Sequence, residues 1–261
     1  MRMKYREHRF ICGQYAEVDI YPVWQQTLKN GKRAKKSRPS SETQERLNKR
    51  NAERRLIRLL NTNFTASDIR LDLTYRPEFL PETAEDAAKA MKNFLRRLRY
   101  YRQRAHLPEL KYVAVTEQGT RSKRFHHHIV LNCGDMSVRT LAEIWGKGYT
   151  TVKPLQFDES GITGIAKYLV KDPILGRRWV ASQNLQQPEE HTRDGYISQR
   201  KVREIAQQEN DSRQEIEQIY RGYALSECKS YFNEINGSYY VTVMLRVDHR
   251  AQKKKEKRAS A

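Results

Sequence analysis

The sequence predicts an α+β fold, a largely antiparallel sheet covered by helices on one face. Segments at 69–75, 112–118, 124–132 and 239–247 alternate apolar and polar residues with the two-residue period of strands. Other segments place apolar residues three and four apart behind capping signals, the period of helices. The two kinds interleave, and one pair of strands is close enough in sequence to form a local hairpin.

Each element has its own justification. Residues 10–22 alternate around Ala16, Val18 and Ile20 and predict a strand. Lys29 to Pro39 is basic without apolar periodicity and predicts a loop. Ser41-Glu42-Thr43-Gln44 has the form of a capping box, opening a helix to about Leu60. Ile69, Leu71, Leu73 and Tyr75 share one face of the next strand. Thr83-Ala84-Glu85-Asp86 opens a helix to about Tyr101, with Ala87, Met91, Leu95 and Leu98 at helical spacing. Tyr112–Gln118 and Arg124–Asn132 form the hairpin, turned at Gly119-Thr120-Arg121-Ser122-Lys123. Ser137 to Trp145 is a short helix stopped by Gly146, Tyr149 to Phe157 a strand, and Gly161 to Lys171 a short helix ended by Asp172-Pro173. Residues 200–220 have helical tendency and Tyr239 to Val247 is a last strand. His249 to Ala261 is basic, lacks large apolar residues and predicts disorder.

A formal net charge of +19 over 261 residues points to nucleic acid as partner before an anionic membrane. No apolar run approaches a bilayer span and no signal-peptide pattern is present, so no membrane partner is expected. Three widely spaced cysteines, Cys12, Cys133 and Cys228, offer neither a disulfide framework nor a thiolate zinc site, and a reducing cytoplasm fits best.

The most informative stretch is Phe125-His126-His127-His128-Ile129-Val130-Leu131. Side chains alternate along a strand, so His126 and His128 share one face while His127 joins Phe125, Ile129 and Leu131 on the other. A tight hairpin brings Glu117 across from the two histidines on their face. Two imidazoles and one carboxylate suit a catalytic divalent ion with open coordination positions. They also describe non-haem iron oxygenase sites. The basic charge favours phosphate chemistry. His127 is expected to pack beneath the sheet.

Gly161 to Lys171 carries a second pattern. Ile162, Ile165, Ala166 and Leu169 form a helical stripe suited to packing, and Gly161, Gly164, Tyr168 and Lys171 lie beside it. Glycines there suggest a surface that a backbone approaches closely. Tyr168 is a candidate nucleophile, with Lys171 one turn on to hold a phosphate or offset a phenolate. Tyrosine is abundant, with 15 in the chain, so this pattern gains weight only beside the metal candidates.

These residues resemble the HUH endonuclease superfamily, the replication-associated (Rep) proteins that start rolling-circle replication of phages, plasmids and other mobile elements. Leu71-Asp72-Leu73-Thr74-Tyr75 resembles the family's first strand motif, His126-His127-His128 its histidine motif with Glu117 as third ligand, and Tyr168-Leu169-Val170-Lys171 its tyrosine motif. The resemblance implies an RRM-like sheet and a metal set of Glu117, His126 and His128 holding Mg²⁺ or Mn²⁺. It implies catalysis by Tyr168 with Lys171, and nicking and rejoining of single-stranded DNA at a replication origin through a covalent 5′-phosphotyrosine. His127 departs from the family's aliphatic residue. Asp72 departs too, and faces either the metal as a fourth ligand or solvent.

On this reading the chain divides into an N-terminal strand, basic loop and helix (1–62), the endonuclease core (63–175), a C-terminal extension packed on the core (176–248) and a basic tail (249–261). No phosphate-binding GxxxxGK[ST] loop is present, so a host- or element-encoded helicase and polymerase are expected partners in a bacterial cytoplasm. DNA contacts are expected from Arg121, Lys123, Arg124, Gly164 and Lys167. The stretches 32–38 and 253–258, Arg96, Arg97, Arg99, Arg102 and Arg104, and Arg177, Arg178 and Lys201 are further candidates. The alternative is a non-catalytic RRM-like single-strand-binding or autoregulatory protein, which needs exposed mid-sheet aromatics such as Tyr75 and Tyr112.

Overall fold

The structure, a computed structural model, describes residues 3–24, 42–119, 122–165 and 178–249. In chain order the strands are β1 (Met3–Cys12), β2 (Tyr15–Trp24), β3 (Ile69–Leu73), β4 (Tyr112–Gln118), β5 (Phe125–Leu131), β6 (Thr150–Pro154), β7 (Val180–Ala181), β8 (Glu189–Asp194), β9 (Tyr223–Asn233) and β10 (Ser238–Val247). The helices are α1 (Glu42–Asn63), α2 (Ala84–Arg104), α3 (Val138–Trp145), α4 (Gln199–Gln208) and α5 (Arg213–Ile219). The α+β class follows the sequence periodicities, but there are two five-stranded antiparallel sheets, not one. They belong to two compact units, one of Asn51–Asp158 with Ile162–Gln186, the other of Met1–Arg50, Glu159–Gly161 and Gln187–Ala261.

The second unit unites the chain's two ends. The strand expected over 10–22 is half of a hairpin: β1 ends at Cys12, Cys12 faces Tyr15, and Gly13 turns the chain at φ 62°. That left-handed φ opens a two-residue turn and suits glycine. The sheet order is β8-β1-β2-β10-β9. Its core gathers Tyr5, Val18 and Ile20 with Val202, Ile205, Ile216, Val241 and Val243. Residues 1–62 and 176–248, expected as separate extensions, thus contribute strands to one sheet, with Asp19 paired to Thr242. The edge strand β8, Glu-Glu-His-Thr-Arg-Asp, has no large apolar residue. It joins β1 through backbone pairing and the cross-strand pairs Arg6–Asp194 and His8–Glu190.

The first unit carries the histidine motif, in a sheet of order β6-β3-β5-β4-β7. Ile69, Leu71, Leu73, Ala114, Ile129 and Leu131 present one face to Met91, Phe94, Leu95 and Leu98 of α2 and to Leu141 and Trp145 of α3. The Thr83 hydroxyl caps α2 by accepting from the Asp86 N–H, and α3 runs from Ser137, its cap, to Gly146 in a left-handed C-cap. The other face is not bare. Val113, Val115 and Val130 pack there against Leu56, Leu59 and Leu60 of α1 and against Ile162. α1 supplies that cover because its leucines fall three and four apart.

Candidate metal centre

Strand register builds the centre. Glu117 of β4 stands directly opposite His126 of β5, and Val115 opposite His128, so Glu117 meets both imidazoles on one face. The Glu117 Oε2 atom lies 3.3 Å from His126 Nε2 and 3.7 Å from His128 Nε2. One ligand atom from each of the three residues falls within 4.8 Å of the others. Glu117 and His128 are buried and His126 is half-buried, leaving one histidine toward an approaching ligand. The hairpin is tied by Gly119 N–H donating to the Arg124 carbonyl and Lys123 N–H donating to the Gly119 carbonyl, both at 2.9 Å.

Asp72 answers a question the sequence left open. It pairs with His128 across β3–β5, and its Oδ1 accepts from His128 Nδ1 at 2.5 Å and from Arg70 Nε at 2.8 Å. It is therefore neither a direct member of the three-residue group nor a solvated side chain, but the partner that fixes the His128 ring. Burial opposes ionisation of Asp72, yet the bonds from His128 and Arg70 outweigh it and hold the carboxyl below its usual range. Metal-ligating histidines characteristically give their second nitrogen to a carboxylate in this manner. This donor set, two imidazoles and a carboxylate with an orienting carboxylate behind, can hold a divalent metal ion.

His127 lies on the opposite face and is fully buried. Its Nε2 lies 2.6 Å from the Tyr75 hydroxyl and its Nδ1 2.9 Å from the Thr116 hydroxyl, with Trp145 edge-on to the ring. Burial lowers the imidazole to about 3, with smaller contributions from His126 and His128, so the ring is neutral. It packs beneath the sheet as its place in the alternation predicts.

The other site candidates divide. Tyr168, Lys171, Lys167, Arg121, Arg177 and the stretches 32–38 and 253–258 lie outside the described residues. Lys123 is exposed, and Arg124 Nη2 donates to the Tyr75 carbonyl at 2.8 Å. Gly164 is exposed, and a Cβ there would meet no atom within 4 Å, so the fold itself does not require glycine. Two expected phosphate contacts are corrected. Arg102 is buried, pairing with Asp135 at 2.9 Å and donating to the Pro108 carbonyl. Arg97 donates to the Ile144 and Trp145 carbonyls, closing the end of α3. Lys201 is engaged by Glu215 at 2.8 Å. Arg96, Arg99 and Arg104 are exposed. Tyr75 and Tyr112, candidates for stacking, are buried at 2% and 8% exposure. All three cysteines are free and buried.

No helix among the described residues is long and apolar enough to cross a membrane. No curated protein and no solved structure matches the chain. Residues 69–173 match a family model described as replication-associated protein, of the ORF2 type, a span that includes Asp72, Glu117, His126 and His128. The chain is thus similar, over that span, to replication-associated proteins, and the likeness supports a role in DNA replication.

Proposed function

We infer that the chain is a rolling-circle replication initiator of the HUH endonuclease kind, nicking and rejoining single-stranded origin DNA. The observation that carries this reading is the convergence of Glu117, His126 and His128 on one face, with Asp72 behind His128, inside the span similar to replication-associated proteins. These three residues would hold Mg²⁺ or Mn²⁺, which as a Lewis acid would polarise a phosphoryl oxygen. Ile162 and Ile165 belong to the apolar cluster on that same face, and Asn61 Oδ1 accepts from the Ile162 N–H at 2.8 Å. Tyr168 follows three residues later, which supports its assignment as nucleophile.

In the proposed step the Tyr168 phenol oxygen attacks phosphorus and the bond to the 3′-oxygen breaks. The phenol proton leaves, and the departing 3′-oxygen takes one up. Lys171 offsets charge on the phenolate, whose free pKa of about 10 would otherwise disfavour it. The product is a 5′-phosphotyrosine and a free 3′-hydroxyl. Attack by a 3′-hydroxyl reverses the step and rejoins the strand, so no nucleotide is consumed. A helicase and a polymerase would complete replication. A purely stacking RNA- or DNA-binding sheet loses support because Tyr75 and Tyr112 are buried. An iron oxygenase gains none from the likeness to replication proteins.

The test is incubation of the full chain with circular single-stranded phage or plasmid DNA and Mn²⁺, followed by denaturation. A covalent protein–DNA adduct is expected, absent in Tyr168→Phe and in His128→Ala. An adduct that persists in Tyr168→Phe overturns the assignment.

A further inference from the structure

A recess of about 300 Å³ opens at the end of the sheet beside the metal group, lined by Thr74, Tyr75, Arg124, Phe125, His126 and Tyr149 among others. His126 belongs both to this recess and to the three-residue group. Whatever occupies one therefore touches the other.

Tyr149 is unusual for a well-anchored position. It is 69% exposed, the largest exposure of any aromatic residue among the described residues. Its backbone is nonetheless fixed. The Tyr149 carbonyl accepts from Thr74 N–H at 3.0 Å, and the Lys147 carbonyl from Arg76 N–H at 3.0 Å. Gly148, between them, packs so closely that a Cβ would stand 2.2 Å from the Thr74 carbonyl oxygen. A side chain at 148 would push this segment off β3. The sequence thus holds a large aromatic ring in water on a rigid support.

Arg124 supplies the polar counterpart. Its Nη2 donates to the Tyr75 carbonyl at 2.8 Å, which steadies the guanidinium and leaves donors over for an acceptor. An exposed ring face, a steadied fork of donors and an imidazole wall suit a flat heterocycle with a polar edge. A phosphate would find one guanidinium where it wants several cations, and an aliphatic side chain would leave Arg124 without an acceptor.

We propose that this recess receives an unpaired nucleobase of the DNA strand, next to the phosphate held at Glu117, His126 and His128, with Tyr149 stacking on the base and Arg124 meeting its edge. The proposal rests on the reading of that group as a strand-cleaving centre. Because arginine only donates, bases presenting acceptors at that edge are favoured, guanine foremost. Specificity beside the cut is then set in part by Tyr149 and Arg124.

The experiment measures affinity of the full chain for a labelled random 15-nucleotide single strand in EDTA, then sequences the strands captured as adducts from the same pool in Mn²⁺. Tyr149→Ala is expected to weaken binding roughly 5- to 150-fold, the effect of losing one stacked base. Tyr149→Phe should retain affinity, and the captured strands should lose a preference at one position beside the cut in Tyr149→Ala. Wild-type binding and preference in Tyr149→Ala, or Tyr149→Phe as weak as the alanine variant, would overturn the proposal. The two readings separate cleanly. Weakened binding in Tyr149→Ala with no adduct from the unsubstituted chain leaves the base site standing and removes the cleavage. Adducts that form with unaltered preference in Tyr149→Ala remove the base site alone.

Discussion

Asp72 offers the sharpest test of the centre, because its role is visible in geometry and reaches any metal only through His128. In the native chain Oδ1 accepts from His128 Nδ1 at 2.5 Å and from Arg70 Nε at 2.8 Å. Asp72→Asn keeps the shape, and its amide oxygen can still accept, so the ring keeps its tautomer. What disappears is the charge. A hydrogen bond to a charged group contributes about 1.5–3 kcal/mol against about 0.5–1.5 for a neutral one. The difference, on the order of 1.4 kcal/mol, corresponds to about tenfold weaker metal binding. Asp72→Ala removes the acceptor altogether and leaves the Arg70 guanidinium, whose Nη2 lies 3.3 Å from His128 Nδ1, unopposed beside the ring. That variant should reach the upper end of outer-shell effects, about 100-fold. Titration of the metal-free chain with Mn²⁺, followed by the paramagnetic resonance of free Mn²⁺, reads this order directly. Native affinity in both variants, or equal losses in Asn and Ala accompanied by equal drops in melting temperature, would refute the reasoning.

Two further outcomes follow from local packing. Gly164→Ala fills open space in a segment where residues 163–165 are helical, so stability should hold or rise by up to about 1 kcal/mol. If a DNA backbone passes over that glycine, adduct formation falls while the melting temperature does not; unchanged adduct yield removes Gly164 from the DNA contacts. Burial pushes the Cys133 and Cys228 thiols up to about 12 from an ordinary value of 9.0. The folded chain then holds these protons more tightly than the unfolded chain, so their stabilising contribution is complete below pH 9 and drains away as pH climbs from about 9 toward 12. Melting curves between pH 8 and 10.5 should show the decline, shallower in Cys133→Ala; a slope identical in that variant would show that Cys133 contributes nothing to it.

The legibility of this molecule in its sequence varied with the range of the contacts involved. β5 was readable because its period is local, and the short turn at 119–123 made Glu117 fall opposite His126 without knowledge of the rest of the fold. Asp72 was visible only as an oddity, since its meaning depends on the register of β3 against β5, more than fifty residues away. The second sheet was harder still. β8 carries no apolar period, and β1 buries Glu7, which accepts from the Tyr220 hydroxyl at 3.0 Å, where a pattern reader expects an apolar side chain. Charge misled in the opposite direction. Arg97 and Arg102 looked like phosphate contacts, but the fold uses them to satisfy backbone carbonyls at helix ends and loops.

The joining of β2 to β10 has a consequence for how the chain comes into being. Asp19 and Thr242, whose side chains share a hydrogen bond at 2.9 Å, are 223 positions apart, so the first hairpin must wait through nearly the whole of synthesis for its neighbour. Until then the β2 edge presents unsatisfied amides to the surroundings, open to mispairing with another nascent chain. Closing so long a loop is slow compared with forming the local β4–β5 hairpin. The ribosome thus delivers the segments of the histidine-bearing unit first, and the terminal sheet last, as a late seal.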